Sequence, residues 1–147
     1  MQPDVHLIDG HRPELGDGIA RMPASRLLGL RVLGFGGGTS AIELPVRPEV
    51  TFDGRIVQGG IVGTLADYAA VSAATAGQDV GRASSTTSFQ VYNLEPARGE
   101  RLVAYGRIVK KGRSQSVAAA DVYAIDGSNW TLCATALATC YHFDLPR

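Results

Sequence analysis

Residues 57–77, VQGGIVGTLADYAAVSAATAG, decide the fold. The stretch is apolar on every side, rich in Ala and Gly, and carries one charge, Asp67; no other charged residue lies between Arg55 and Asp79. A helix that is hydrophobic all round belongs in an interior rather than on a surface. A lone carboxylate in such a helix is unfavourable unless it is solvated, paired or used in chemistry, which makes Asp67 the first candidate catalytic residue. Gly59 and Gly60 stand where the helix begins, so their backbone N–H groups are among the first-turn donors with no partner inside the helix. With the helix dipole they can hold a carbonyl oxygen or an oxyanion. Asp67 follows Gly59 by eight positions, about 12 Å along the axis at about 1.5 Å per residue. One helix therefore cannot bring both groups to one reacting carbon. If they cooperate, the donors come from one copy of the chain and the carboxylate from another, with two such helices antiparallel, in a homodimer at least.

On the N-terminal side the pattern reads as a strand over 30–35 (LRVLGF), a turn at Gly36, Gly37 and Gly38, and a strand over 39–46 (TSAIELPV). The three glycines lead into neither GK[ST] nor GxGxxG and no helix follows, so they make a tight hairpin rather than a phosphate loop. Pro45 and Pro48 close the second strand, and 49–55 is a polar connection to the helix. Beyond Gly77 the chain turns extended, with strands over 83–94, 101–111, 114–125 and 131–143; the Asp126-Gly127 dipeptide suits a hairpin. Four long strands in a row predict an antiparallel meander, to which the first hairpin adds two more. The fold class is α+β, with a curved antiparallel sheet of about six strands wrapped around one long central helix. Residues 1–20 are polar and rich in Gly and Pro, which predicts a loose arm with at most one helical turn, and 22–28 a short helix. The chain thus divides into an arm over 1–24, partly disordered, and one domain over 25–147.

At 147 residues the chain is long enough to bury a real core. Fourteen Lys and Arg balance fourteen Asp and Glu, so there is no broad basic surface for nucleic acid, and any phosphate recognition is local. No basic region followed by an apolar run marks a signal peptide, and no uninterrupted apolar run of about 18 residues marks a membrane span; the expectation is a cytoplasmic protein with no membrane contact. Cys133 and Cys140, at odd spacing on one predicted strand, should point to opposite faces as structural thiols, neither a disulfide nor a metal pair. His6, His11 and His142 have no Cys or carboxylate at ligand spacing, so no metal is expected and they read as surface or core histidines. No GxSxG elbow supports a serine hydrolase.

The segment 57–67 (VQGGIVGTLAD), the strand ending at Glu95-Pro96-Ala97, the KKGR at 110–113 and the final alanine-rich strand resemble the phenylacetate-degradation type of hotdog-fold acyl-CoA thioesterase, from about residue 28 to the C-terminus. The resemblance implies hydrolysis of a small or medium acyl- or aryl-CoA thioester at a site shared between two subunits, often within a homotetramer. No cofactor is implied beyond the coenzyme A of the substrate itself. It implies Gly59 N–H as oxyanion donor, Asp67 as general base or nucleophile, and Thr86, with Ser85 and Thr87 close by, as holder of the attacking water. Gly60 would help bind the substrate at the helix start, Tyr68 and Val71, with Ser72, on the dimer partner's helix would line the acyl pocket, and Lys110, Lys111 and Arg113 would meet the phosphates of coenzyme A. Gln58 stands where the family commonly has His; an amide can position a carbonyl but cannot titrate. Phe52, with Asp53 beside it, stands where an Asn is common. Two alternatives remain: a non-catalytic acyl-CoA-binding or sensing protein, and a hotdog hydratase. The hydratase would want a His where Ala70, Val71 and Ser72 stand.

Overall fold

The computed structural model describes residues 2–3 and 12–147; the rest of the arm, with His6 and His11, lies outside the described residues. Helix α1 spans Pro13–Arg21 and α2 spans Pro23–Leu28. The strands are β1 Arg31–Gly36, β2 Thr39–Pro45, β3 Arg82–Asn93, β4 Arg101–Lys110, β5 Gln115–Asp126 and β6 Asn129–Asp144, and the central helix α3 is Gly59–Ala76. The nine-residue α1 replaces the single turn expected of the arm. Its signals are local: Pro13 presets the first helical position, Glu14 sits in the first turn and Arg21 in the last, each matched to the helix dipole. Helix α2 ends on Gly29 in the left-handed region at φ 71°, the backbone state that favours glycine. Among the described residues no helix is long and apolar enough to cross a membrane.

The six strands form one curved antiparallel sheet in the order β1-β2-β4-β5-β6-β3, and α3 packs against every strand. Only β4, β5 and β6 make the expected meander, because β3 pairs with β6 and β4 gives its other edge to β2. A two-stranded β1–β2 ribbon on its own would be marginal in water. Pairing β2 with β4 makes the sheet continuous and moves β3 to the far edge. Buried Glu43 on β2 reinforces that join, reaching Arg31 of β1 at 3.2 Å and Arg101 of β4 at 2.8 Å.

Helix α3 lies on the sheet through Ala66, Ala69, Ala70, Ala73 and Ala74, all fully buried. Short side chains let the helix backbone approach the strands closely. The closest approach is at Gly106 of β4, where a Cβ would collide with the Ala69 carbonyl oxygen, and neighbouring Ser40 donates its hydroxyl to that same oxygen at 2.6 Å. One stripe of α3 stays outside the single-chain core: Gly60 and Thr64 are exposed, and Asp67, Tyr68 and Val71 half-buried. The spacing of these positions places them on one helix face.

Two register shifts set which strand residues face inward. The β3–β6 register shifts between Thr86 and Ser88, so Ser84 and Thr86 are half-buried before it, and Phe89 and Val91, which reach Gly63 of α3, after it. In β6 the partners of Val122 and Tyr123 jump from Ala134 to Leu132, past Cys133. The extra residue resets the alternation, so Cys133 and Cys140 are both buried, not on opposite faces. Both thiols are free, and burial pushes that of Cys133 up to about 11.

His142 is a core histidine, 2% exposed. Its Nδ1 lies 2.7 Å from Ser84 Oγ and its Nε2 2.7 Å from Ser116 Oγ, which also accepts the Gly112 N–H at 3.2 Å. Hydroxyls at both nitrogens can satisfy either neutral tautomer. Burial, then the Arg82 and Lys111 charges, lowers the ring's proton affinity below the ordinary 6.5. The folded chain therefore binds fewer protons than the unfolded one just below pH 6.5, so this contribution is fully present above 6.5 and is lost as pH falls through the folded value. Urea midpoints should drop on acidification below pH 6.5, and His142→Gln should flatten that part of the profile. Gly106→Ala should lower unfolding free energy by about 1–3 kcal/mol in the same measurement, as overpacking at a close contact does.

Candidate active site

Helix α3 and strand β3 bring together two residues nineteen apart in sequence. Thr86 Oγ1 donates to Asp67 Oδ1 at 2.6 Å. Because the hydroxyl hydrogen is committed to the carboxylate, the Thr86 oxygen presents lone pairs to a water, while Asp67 Oδ2 is left to receive a proton. Cys140 lies opposite Thr86 in the β3–β6 ladder. Burial, with the Asp67 charge second, pushes its thiol up to about 11, so it stays protonated and does not compete as a nucleophile.

The pair borders a cavity of about 620 Å³, lined on α3 by Asp67, Tyr68, Val71 and Ser72 and on β3 by Ser84 and Thr86. That size suits a small-molecule site. Tyr68 is fixed from the other side by Ser25 of α2, whose hydroxyl donates to the Tyr68 oxygen at 3.2 Å. Helix α1 supplies a further wall that the sequence reading did not include.

At the start of α3, Gln58 is the N-cap. Its Oε1 accepts the Ile61 N–H at 3.1 Å and its backbone carbonyl accepts from Ile61 and Val62. The Gly59 and Gly60 N–H groups are exposed and make no hydrogen bond among the described residues. Gly59 borders a second concavity of about 370 Å³, lined also by Phe52, Val62, Asn93 and Pro96. No residue lines both this concavity and the Asp67 cavity. Phe52 is 66% exposed at its rim. Asp53 is a turn residue, with Oδ1 accepting from Ile56 at 2.7 Å and Arg55 at 2.8 Å, and these bonds hold its carboxyl below its ordinary value. Asn93 is the polar group sequence reasoning missed here: its Nδ2 lies 3.5 Å from where a Gly59 Cβ would be. No local motif marks it, because it reaches the helix start only through the β3 path.

Lys110, Lys111 and Arg113 are exposed around the β4–β5 turn. Lys111 shares a surface hollow with Gly77 and Gln78, at the opposite end of α3 from Gly59. Eighteen helical residues span about 27 Å, so the basic trio and the glycine pair of one chain do not meet.

The family model of the thioesterase superfamily matches residues 54–131. A thioesterase family protein from Silicibacter pomeroyi has a similar structure at 31% identity and TM-score 0.87, over 92% of this chain and 99% of that one. A phenylacetic acid degradation-related protein from Ralstonia eutropha aligns at 27% identity and TM-score 0.73, over 87% and 96% of the two chains. The E. coli PaaI protein of the phenylacetic acid degradation operon shares the fold at 16% identity and TM-score 0.77, over 88% and 92%. No curated protein matches the chain in sequence. With its sheet wrapped around α3 in the hotdog fold, the chain belongs to the thioesterase superfamily.

Proposed function

We propose that the protein hydrolyses the thioester of a small or medium acyl- or aryl-CoA at a site completed by two copies of the chain. The observation that carries this is the Thr86–Asp67 hydrogen bond on the wall of a ligand-sized cavity, with the unpartnered Gly59 N–H opening elsewhere on the same chain. Strand β3 supports a homodimer as the minimal unit. It is twelve residues long at the free edge of the sheet, a ready template for pairing with a second β3. Antiparallel pairing about a two-fold axis sets the two α3 helices antiparallel, so the glycine pair of one faces Asp67 of the other. The outward α3 stripe from Gly60 to Val71 is then covered. The same geometry brings Lys110, Lys111 and Arg113 toward the other copy's helix start, where the phosphates of coenzyme A would lie. Assembly into a homotetramer and a cytoplasmic location belong to the same proposal.

In the reaction, the Gly59 N–H, with Gly60 beside it, binds the thioester carbonyl oxygen, and the Gln58 amide nitrogen orients it. A water held by Thr86 loses a proton to Asp67 of the partner subunit and adds to the carbonyl carbon. The tetrahedral oxyanion is stabilised by the glycine N–H, a kind of contact whose removal costs about 3–4 kcal/mol in other enzymes. Collapse breaks the carbon–sulfur bond and releases the carboxylic acid and the coenzyme A thiol, the latter taking the proton from Asp67. Tyr68 and Val71 contact the acyl group. No cofactor or metal enters any step.

Thiol release from a panel of short-chain, medium-chain and aryl CoA esters tests this. Asp67→Asn should lower kcat by about 10²–10⁴-fold, the range general-base catalysis supplies, with unchanged circular dichroism and sedimentation. Thr86→Val should lower it by about tenfold to a hundredfold, roughly 1.4–2.8 kcal/mol. Full turnover by Asp67→Asn contradicts the assignment; tight binding of the esters without release from any of them favours the sensor.

A further inference from the structure

The cavity beside Asp67 does not end on α3 and β3. It runs along α3 from Asp67 to Thr75, eight residues or about 12 Å, and its far wall is helix α1. Leu15, Gly18 and Ile19 line it, spaced i, i+3 and i+4 on one face of α1, and Met22, the extended residue between α1 and α2, lines it beside them. That face is held in place by Arg12, the residue just before α1. Arg12 is 3% exposed; its Nη1 donates to the carbonyls of Thr75 at 3.2 Å and Arg82 at 2.7 Å, and its Nε to Glu14 at 2.8 Å. The guanidinium thus ties the start of α1 to the end of α3 and the start of β3, the two elements that carry Asp67 and Thr86.

Gly18 is the residue on this face that nothing structural explains. Glycine is among the least favourable residues in a helix interior. Gly18 is not among the glycines with positive φ, and a Cβ built on it would meet nothing within 4 Å. Neither backbone conformation nor packing requires glycine here, and Gly18 is exposed where it lines the cavity. Gly16, one turn position away, differs: a Cβ there would touch Val32 and Phe35 of β1.

Resting on the reading of Asp67 and Thr86 as the reacting end, we infer that α1 is the gauge of the acyl group, closing the far end of the pocket with Gly18 setting its depth. The ligand is then a medium-length acyl chain. Its thioester lies at Asp67 and its tail against Leu15, Ile19 and Met22. A two-carbon acyl group stops short of α1 and gains nothing from it.

The test compares the wild type with Gly18→Leu and Gly18→Ala, using acetyl-, hexanoyl- and decanoyl-CoA for turnover and the matching non-hydrolysable thioether analogues for calorimetric binding. In Gly18→Leu the decanoyl-to-acetyl ratio of kcat/KM should fall by at least about tenfold, the scale on which a filled apolar pocket rejects added methylenes. The ratio of the analogues' affinities should fall with it. Gly18→Ala should keep most of the ratio while raising the urea midpoint, which separates pocket volume from helix stability. If no variant turns over any ester but analogue binding shows the length effect, the gauge stands and the hydrolytic reading falls. If turnover is normal but Gly18→Leu scales all three lengths alike, the gauge falls and the hydrolytic reading stands. Wild-type affinity that does not rise with chain length also overturns the gauge.

Discussion

The contact between the α3 backbone and the sheet at Gly106 and Ser40 governs the rest of the structure. A buried helix usually stands about a side chain's thickness off its sheet, but here the Ala69 carbonyl sits directly over a glycine and accepts a serine hydroxyl. That seat fixes the helix in rotation as well as in height. Once the alanine face is turned down, the Gly60, Thr64, Asp67, Val71 stripe turns outward. A carboxylate that would be prohibitive inside the core is thereby placed at its edge, within reach of Thr86.

The same seat keeps two concavities of the chain apart. The donors at the start of α3 and the carboxylate two turns on open into separate concavities, because the helix is straight and its rise is fixed. The outward stripe of α3 and the β3 edge are both left uncovered in the single chain. Apolar and edge-strand surfaces left together in this way are the ordinary mark of an interface between copies.

Much of this was legible in residues 57–77. All-round hydrophobicity located the central helix, and the eight-residue interval gave the separation of the helix-start glycines from Asp67. Strand boundaries came within two residues or so of those observed, because turn residues such as Asp126-Gly127 and Pro45 are explicit. Strand order was not legible, since nothing local distinguishes β3 pairing with β4 from β3 pairing with β6. Facing was lost wherever a register shift intervenes. Phe89 joins Thr86 on the inner face and Cys133 joins Cys140 in the core because one extra residue in each strand reverses the alternation, and no residue type announces that. Helix α1 was legible in hindsight: Pro13, Glu14 and the Leu15, Ile19, Met22 spacing are sound helix signals, outweighed in the sequence reading by Gly16, Gly18 and the polar residues before them.

The most direct measurement of the shared site is complementation between two inactive variants. Asp67→Asn removes the base. Gly59→Pro removes the helix-start N–H at the first helical position, where proline is well tolerated. Each variant alone should be inactive. When the two are unfolded together and refolded at equal concentration, half of the dimers pair one variant with the other. Each such dimer carries one site with both groups intact, so activity should return to about one quarter of wild type. A mixture as inactive as its components would contradict the account, because it would place donor and base within a single chain.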